Sequence, residues 1–224
     1  MTENCKKSTL KEKKVIGLIG NYCAGKNHVA LLLEQRLVPV LDIDKLGHQV
    51  IKTDKERILS RFGEDILGSD GLIDRKLLGE KVFGRPKELE ALEEIIHPGV
   101  NQETLTWINA LKEDICVINA ALLHRSSAYE ILDAVIIVEA PFIVRLLRAK
   151  RRDKLPWRAL LKRFRSQKGF SSQFYQEKTD IYKVENSGFF CQKKRSRERK
   201  LEKRIDEILS QKGPSLIKGH VNRG

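Results

Sequence analysis

The stretch Val15-Ile16-Gly17-Leu18-Ile19-Gly20-Asn21-Tyr22-Cys23-Ala24-Gly25-Lys26-Asn27-His28 decides the fold. Its first five residues are an apolar, partly β-branched run, which reads as a strand buried on both faces. Gly20 to Lys26 then matches G-x-x-x-x-G-K, and the apolar spacing of Val29, Leu32, Leu33 and Leu37 predicts a helix over 27–37. Strand, glycine loop and helix in that order form the context in which this motif binds phosphate. The glycines allow a tight backbone path, successive amides converge on phosphate oxygens, and the helix presents the positive end of its dipole. Lys26 would then reach the β- and γ-phosphates. The bland alternative, a strand-to-helix turn with a solvated lysine, does not need this whole context. One position departs from the pattern: Asn27 stands where a Ser or Thr hydroxyl would hold Mg²⁺. Its amide oxygen is a hard ligand of different reach, so Asn27 is only a weak metal candidate.

Outward from the loop, further apolar runs at 38–43, 115–123 and 134–138 complete a parallel sheet, with a short fifth strand at 182–185. The helix between the first two strands makes a β-α-β unit of the length a right-handed crossover requires. Residues 52–112 change to helical spacing, through Ile58, Leu59, Phe62 and Ile66 and then Leu89, Leu92, Ile95 and Ile96. Turns are expected at Gly68–Gly71 and His97–Gly99. The fold class is therefore α/β, a five-stranded parallel sheet flanked by helices. Its nucleotide-binding core takes 15–51, 114–150 and 179–212, around a helical insertion at 52–113 and a basic lid at 151–178. Residues 1–14 and 213–224 are expected to be flexible tails. The basic block 193–204 should lead into an amphipathic helix with Leu201, Ile205, Ile208 and Leu209 on its apolar face.

Composition limits the class of protein. Among 224 residues, 43 Lys and Arg against 30 Asp and Glu give a net charge of +13, which favours phosphate-bearing partners. No apolar run approaches the roughly 20 residues of a bilayer span, and residues 1–14 lack the apolar segment of a secretory signal. A cytoplasmic protein without a membrane partner is expected. The cysteines, Cys5, Cys23, Cys116 and Cys191, are too scattered for a zinc site or disulfide framework and read as reduced thiols. No nucleic-acid partner is expected, because the basic block 193–204 has no interleaved aromatic residues on which bases could stack.

The predicted second strand ends in Leu41-Asp42-Ile43-Asp44, which puts both carboxylates on one side of an extended segment at the carboxyl edge of the sheet. Such a pair could hold Mg²⁺ through water or take a proton from a hydroxyl. With equal weight, the acids could cap the following helix.

These motifs resemble the dephospho-coenzyme A kinase family from Val15 to Leu209. The family's G-G-x-G-S-G-K-S corresponds to Gly20–Asn27, and its D-A-D-x-x-x-H to Asp42 through His48. Its R-F-G-x-x-I-L…D-G…R…L-G run corresponds to Arg61–Leu67, Asp70-Gly71, Arg75 and Leu78-Gly79. Ile96-His97-Pro98, Arg152-Asp153-Lys154-Leu155, Arg163 with Gln167, and Glu185-Asn186-Ser187-Gly188 look like the remaining family motifs. The resemblance implies an ATP-dependent transfer of phosphate to the ribose 3′-hydroxyl of dephospho-coenzyme A, with Mg²⁺. The oligomeric state stays open, with a monomer favoured. It implies that Cys23, Ala24, Gly25, Lys26, Asn27 and His28 hold ATP, and that Asp42 orients or deprotonates the hydroxyl. By the same token His48 and Arg75 help to bind the acceptor, Arg163 closes over the transferring group, and Asp44 is a weak metal candidate. Arg145, Arg148 and Arg151 are read as a solvated helix face, and His97 as a helix-end residue.

The departures from the family pattern are Cys23 at an inner glycine, Asn27 at the hydroxyl, Asn101 at an arginine, and 119–125, where Asn119 and Arg125 replace carboxylates. They support a second reading, a nucleotide-binding homologue of weakened activity with a regulatory role. A related small-molecule kinase on the same scaffold is a third.

Overall fold

The computed structural model describes residues 13–120, 127–166, 180–187 and 194–212. Five strands, β1 (Lys14–Gly20), β2 (Val40–Asp42), β3 (Ile115–Asn119), β4 (Ala134–Glu139) and β5 (Asp180–Glu185), form one sheet in the order β2-β3-β1-β4-β5. β1 pairs in parallel with β3 and β4, and β4 with β5, so the first strand lies in the middle, as its burial-ready sequence requires. β5 is longer than the expected 182–185 and runs in register with β4 along its length.

The helices are α1 (Lys26–Glu34), α2 (Ile43–Thr53), α3 (Lys55–Phe62), α4 (Arg75–Val82), α5 (Pro86–Ala110), α6 (Phe142–Asp153), α7 (Trp157–Ser166) and α8 (Lys194–Lys212). Leu32 and Leu33 of α1 pack with Ile16 and Leu18 of the sheet and with Leu201, Ile205, Ile208 and Leu209 of α8, the apolar face expected of that helix. Among the described residues, no helix is long and apolar enough to cross a membrane.

Several elements end where the pattern did not predict. α1 stops at Glu34 rather than running to Leu37, because the chain closes with Leu37 N–H donating to Glu34 O at 2.9 Å and Val38 N–H to Leu33 O at 3.1 Å. This paired closure needs a left-handed residue, and Leu37 supplies it at φ 59. Leu37 is accordingly 78% exposed, and Val38 takes the buried position. The strand expected over 38–43 shrinks to Val40–Asp42, since Asp42 caps α2, its carboxylate accepting from Lys45 N at 3.2 Å. Asp44 thus lies in the first turn of a helix, and the two acids do not share one side of an extended segment. Asp42 therefore caps α2, and a carboxylate that accepts one such bond keeps lone pairs for a second partner. The strand expected over 115–123 ends at Asn119, and 121–126 lie outside the described residues.

The turn at Gly68–Gly71 is present, with Gly71 N–H donating to Gly68 O at 3.0 Å. The turn expected at His97–Gly99 is not: α5 runs through it with Pro98 inside, so His97 sits mid-helix rather than at an end. Proline removes one backbone bond but does not forbid a helix that packing holds. Gly99 is there for that packing, since a Cβ in its place would lie 2.8 Å from Val50 Cγ1 of α2.

The chain divides into two compact units: a core of the described residues up to Leu41 and nearly all those from Lys112 on, and a helical unit, Asp42–Leu111. Asp42–Ile51 therefore packs with the helical unit, whose separate apolar cluster includes Ile58, Phe62, Ile66, Leu78, Val82 and Leu92. Of the expected tails and lid, 1–12, 167–179 and 213–224 are outside the described residues.

Candidate active site

The loop between β1 and α1 takes the backbone path that the glycine pattern implies. Ala24 N–H donates to Asn21 O at 2.8 Å, Cys23 sits at φ 59, and Gly25 caps α1 at φ 93. Gly25 has no side chain to compete for the first N–H groups of α1, which leaves the dipole end open to an anion. Lys26 is half-buried, Asn27 exposed and His28 half-buried, with His28 Nε2 3.8 Å from Glu198 Oε1. Cys23 occupies a left-handed position that glycine adopts without strain, at a cost of about 1–2 kcal/mol for an L side chain. Burial pushes its thiol above the ordinary value, outweighing the pull of Arg152, Arg145 and Arg148. Cys23 and Cys116 are both free, consistent with reduced thiols.

Arg145 and Arg148 do not form the solvated face expected of them. α6 turns them onto the outer side of the loop, where Arg145 Nε donates to Tyr22 O at 2.9 Å and Arg148 donates to Ala24 O at 2.9 Å. Burial lowers the pKa of both guanidiniums, which remain charged because arginine does not deprotonate in proteins. Arg151 is exposed. The sequence did contain a signal: Arg145 and Arg148 lie one turn apart in the helix that follows β4, and Val144 and Ala149 beside them are buried. Helical spacing does not say which neighbour such a face meets.

Arg163 on α7 lies beside the loop apex. Its guanidinium is 3.4 Å from Asp153 Oδ2 and 3.5 Å from the Tyr22 hydroxyl, which itself donates to Asp153. The Tyr22 ring packs edge to face on Phe164 with centroids 5.2 Å apart, and Arg152 stacks over it at 5.1 Å. Gln167 lies outside the described residues. A cleft of about 280 Å³ lies beside the loop, lined among others by Gly25, His28, Arg148, Asn186, Ser187 and Arg197. It is of nucleoside size.

In the helical unit, Arg75 at the start of α4 places NH1 2.9 Å from His48 Nδ1, so these candidates meet. Both are exposed, and Asp74 caps α4 beneath them, accepting from Lys76 N at 2.7 Å. Asp42 and Asp44 open α2 of the same unit.

Asn27, the metal candidate of the loop, is a neutral donor. Among the described residues, no cluster of three or more His, Cys, Asp or Glu side chains could hold a metal. Asn119, at the end of β3 beside Leu18 of β1, is 3% exposed, and its Oδ1 has no hydrogen-bond partner among the described residues. A buried, unsatisfied carbonyl oxygen needs a donor, and metal-bound water is a chemically suitable one. Asn27 and Asn119 thus fit a hydrated Mg²⁺ as weak, uncharged partners. Arg125 lies outside the described residues.

A parallel sheet with this loop at the carboxyl end of its central strand, and arginine-bearing helices against the loop, is the architecture of a P-loop phosphotransferase. A family model described as Dephospho-CoA kinase matches residues 14–188, and the chain belongs to that family. A dephospho-CoA kinase of Treponema pallidum is 31% identical over 209 residues, covering 89% of this chain and 95% of that protein. A dephospho-CoA kinase of Shouchella clausii is 34% identical over 146 residues, covering 62% of this chain and 74% of that one. The crystal structure of TT1252 from Thermus thermophilus superposes with a TM-score of 0.75 at 28% identity, covering 90% of this chain and 98% of that one.

Proposed function

We propose that the protein transfers the γ-phosphoryl group of ATP to the ribose 3′-hydroxyl of dephospho-coenzyme A, giving coenzyme A and ADP. The observation that carries this reading is the open phosphate loop at the N-terminus of α1, in a chain whose family match spans residues 14–188. The amides of 23–28 and the Lys26 ammonium would hold the phosphates, and the cleft beside Gly25 would take the nucleoside. His48 and Arg75 would bind the acceptor, whose phosphates suit a guanidinium. The 3′-oxygen attacks the γ-phosphorus, the bond from that phosphorus to the β,γ-bridging oxygen breaks, and the hydroxyl proton passes to Asp42. Arg163 would stabilise the charge spread over the equatorial oxygens. Mg²⁺ would supply charge neutralisation at the phosphates, and Asn27, Asn119 and Asp44 are the residues that would hold it.

The test is to incubate the protein with Mg·ATP and dephospho-coenzyme A and to measure coenzyme A and ADP, alongside ATP without acceptor. Equimolar products that depend on the acceptor support the reading; ATP binding without coenzyme A overturns it. That second outcome is the one expected of a regulatory homologue, which the neutral, buried Asn119 favours.

A further inference from the structure

The carbonyls of the phosphate loop have dedicated partners. When successive N–H groups of a loop converge on an anion, the peptide oxygens between them point to the far side, and if buried they must be bonded there. Here the far side is filled by two side chains. Arg148 NH1 donates to Ala24 O at 2.9 Å and lies 3.5 Å from Cys23 O. Asn186, just after β5, donates Nδ2 to Ala24 O at 3.1 Å and to Gly25 O at 3.4 Å. Three consecutive carbonyls are thereby held by two residues from distant parts of the chain.

The two residues also orient each other. Arg148 NH2 donates to Asn186 Oδ1 at 3.1 Å, and a guanidinium has no acceptor. The amide oxygen of Asn186 must therefore face Arg148, which turns its NH₂ group to the loop. Asn186 is only 6% exposed and its own N–H is fixed on Glu139 O at 2.7 Å, so the amide has little freedom to rotate away. The fit is close: a Cβ at Gly25 would lie 2.2 Å from Asn186 Nδ2.

We propose that Arg148 and Asn186 are positioning residues for phosphoryl transfer: by holding the carbonyls of Cys23, Ala24 and Gly25 on the outer side of the loop, they keep its amides aimed at the nucleotide phosphates. The proposal rests on the reading of the loop as the ATP site, but not on the identity of the acceptor. Charge near the loop is a secondary matter in this account, because the bridging geometry requires a planar fork that spans Ala24 O and Asn186 Oδ1 together. A lysine carries its three donors on a single nitrogen and lacks the two separately placed nitrogens of the fork, so it fits this spacing less well.

The test compares Asn186→Ala, Arg148→Lys and the double variant with the wild type, using tripolyphosphate as a probe that has no nucleoside to occupy the cleft. Each single variant is expected to weaken tripolyphosphate binding about tenfold or more, the effect of losing one well-placed hydrogen bond to a buried carbonyl. In turnover, KM for ATP rises and KM for the acceptor stays as in the wild type. The double variant should be little worse than the worse single one, because both residues serve one network. Melting without ligand is read in parallel; if Asn186→Ala does not fold, Arg148→Lys, which keeps a long cationic side chain, carries the test. Wild-type affinity for tripolyphosphate in Arg148→Lys, or fully additive losses in the double variant, would overturn the proposal. A wild type that binds tripolyphosphate but makes no coenzyme A would overturn the acceptor assignment alone.

Discussion

The phosphate loop and the His48–Arg75 face are built on different plans. In the core, the carbonyls of Tyr22, Cys23, Ala24 and Gly25 are each met by a side chain from α6 or from the end of β5. In the helical unit, the paired side chains of His48 and Arg75 stand exposed on short helices. A loop that must organise backbone amides around a highly charged group needs its shape fixed beforehand. The proposed acceptor site, which must admit and release a larger ligand, needs exposed cations more than a rigid frame. Substitutions in the first region should therefore reach the chemistry itself, and those in the second mainly the binding of one substrate.

The sharpest break would come from Lys26→Ala. It removes the cation of the loop and should lower turnover by about 10²–10³-fold or more, the scale of losing one preorganised charge-stabilising group; near-normal turnover would sink the proposed role. Next in size is Asp42→Asn, expected to lower kcat by about 10²–10⁴-fold as lost general-base catalysis does. ATP affinity should stay largely intact, so lost affinity with normal kcat would contradict the assignment. Asp42 also caps α2 through Lys45 N, and asparagine caps equally well, so the melting midpoint should hardly move.

Smaller, and confined to the other region, is Arg75→Ala. KM for dephospho-coenzyme A should rise about tenfold while KM for ATP does not change, since the residue is exposed and belongs to the helical unit. An equal rise in both would mean the two regions are not independent. Away from both sites, Leu37→Gly relieves a left-handed leucine that is 78% exposed, and should raise stability by about 0.5–1 kcal/mol in urea unfolding without touching either KM. The smallest effect concerns Cys116, whose thiol burial raises from an ordinary 9.0 to about 12. Between those values the unfolded chain sheds this proton and the folded chain does not, so stability falls as pH rises. Cys116→Val should flatten that alkaline slope in unfolding experiments.

Much of the core was legible before any coordinates. The buried strands, the loop and the apolar face of α8 follow from runs and spacings that only one arrangement of a β-α-β chain can bury. The errors have a common cause. Local pattern misplaces Leu37, the pair Asp42 and Asp44, and His97–Gly99, because each is decided by something outside the pattern. For Leu37 it was a helix closure that gave Val38 the buried place. For Asp44 it was an early cap, and for Gly99 the close approach of Val50. The arginines of α6 follow the same rule: spacing shows that Arg145 and Arg148 share a face, not that the face meets backbone carbonyls.

The amino-acid order alone settled the class of the protein, because the spacing Gly20–Gly25–Lys26 between a buried strand and a helix is a local constraint on backbone and charge. Tertiary structure decided what holds that loop in shape. Arg148 and Asn186 are far from the loop in sequence, and only the parallel pairing of β4 and β5 beside β1 brings them to its carbonyls. It also decided that Asn119 is buried, with an oxygen unsatisfied among the described residues, a property of packing that no run of residues could reveal.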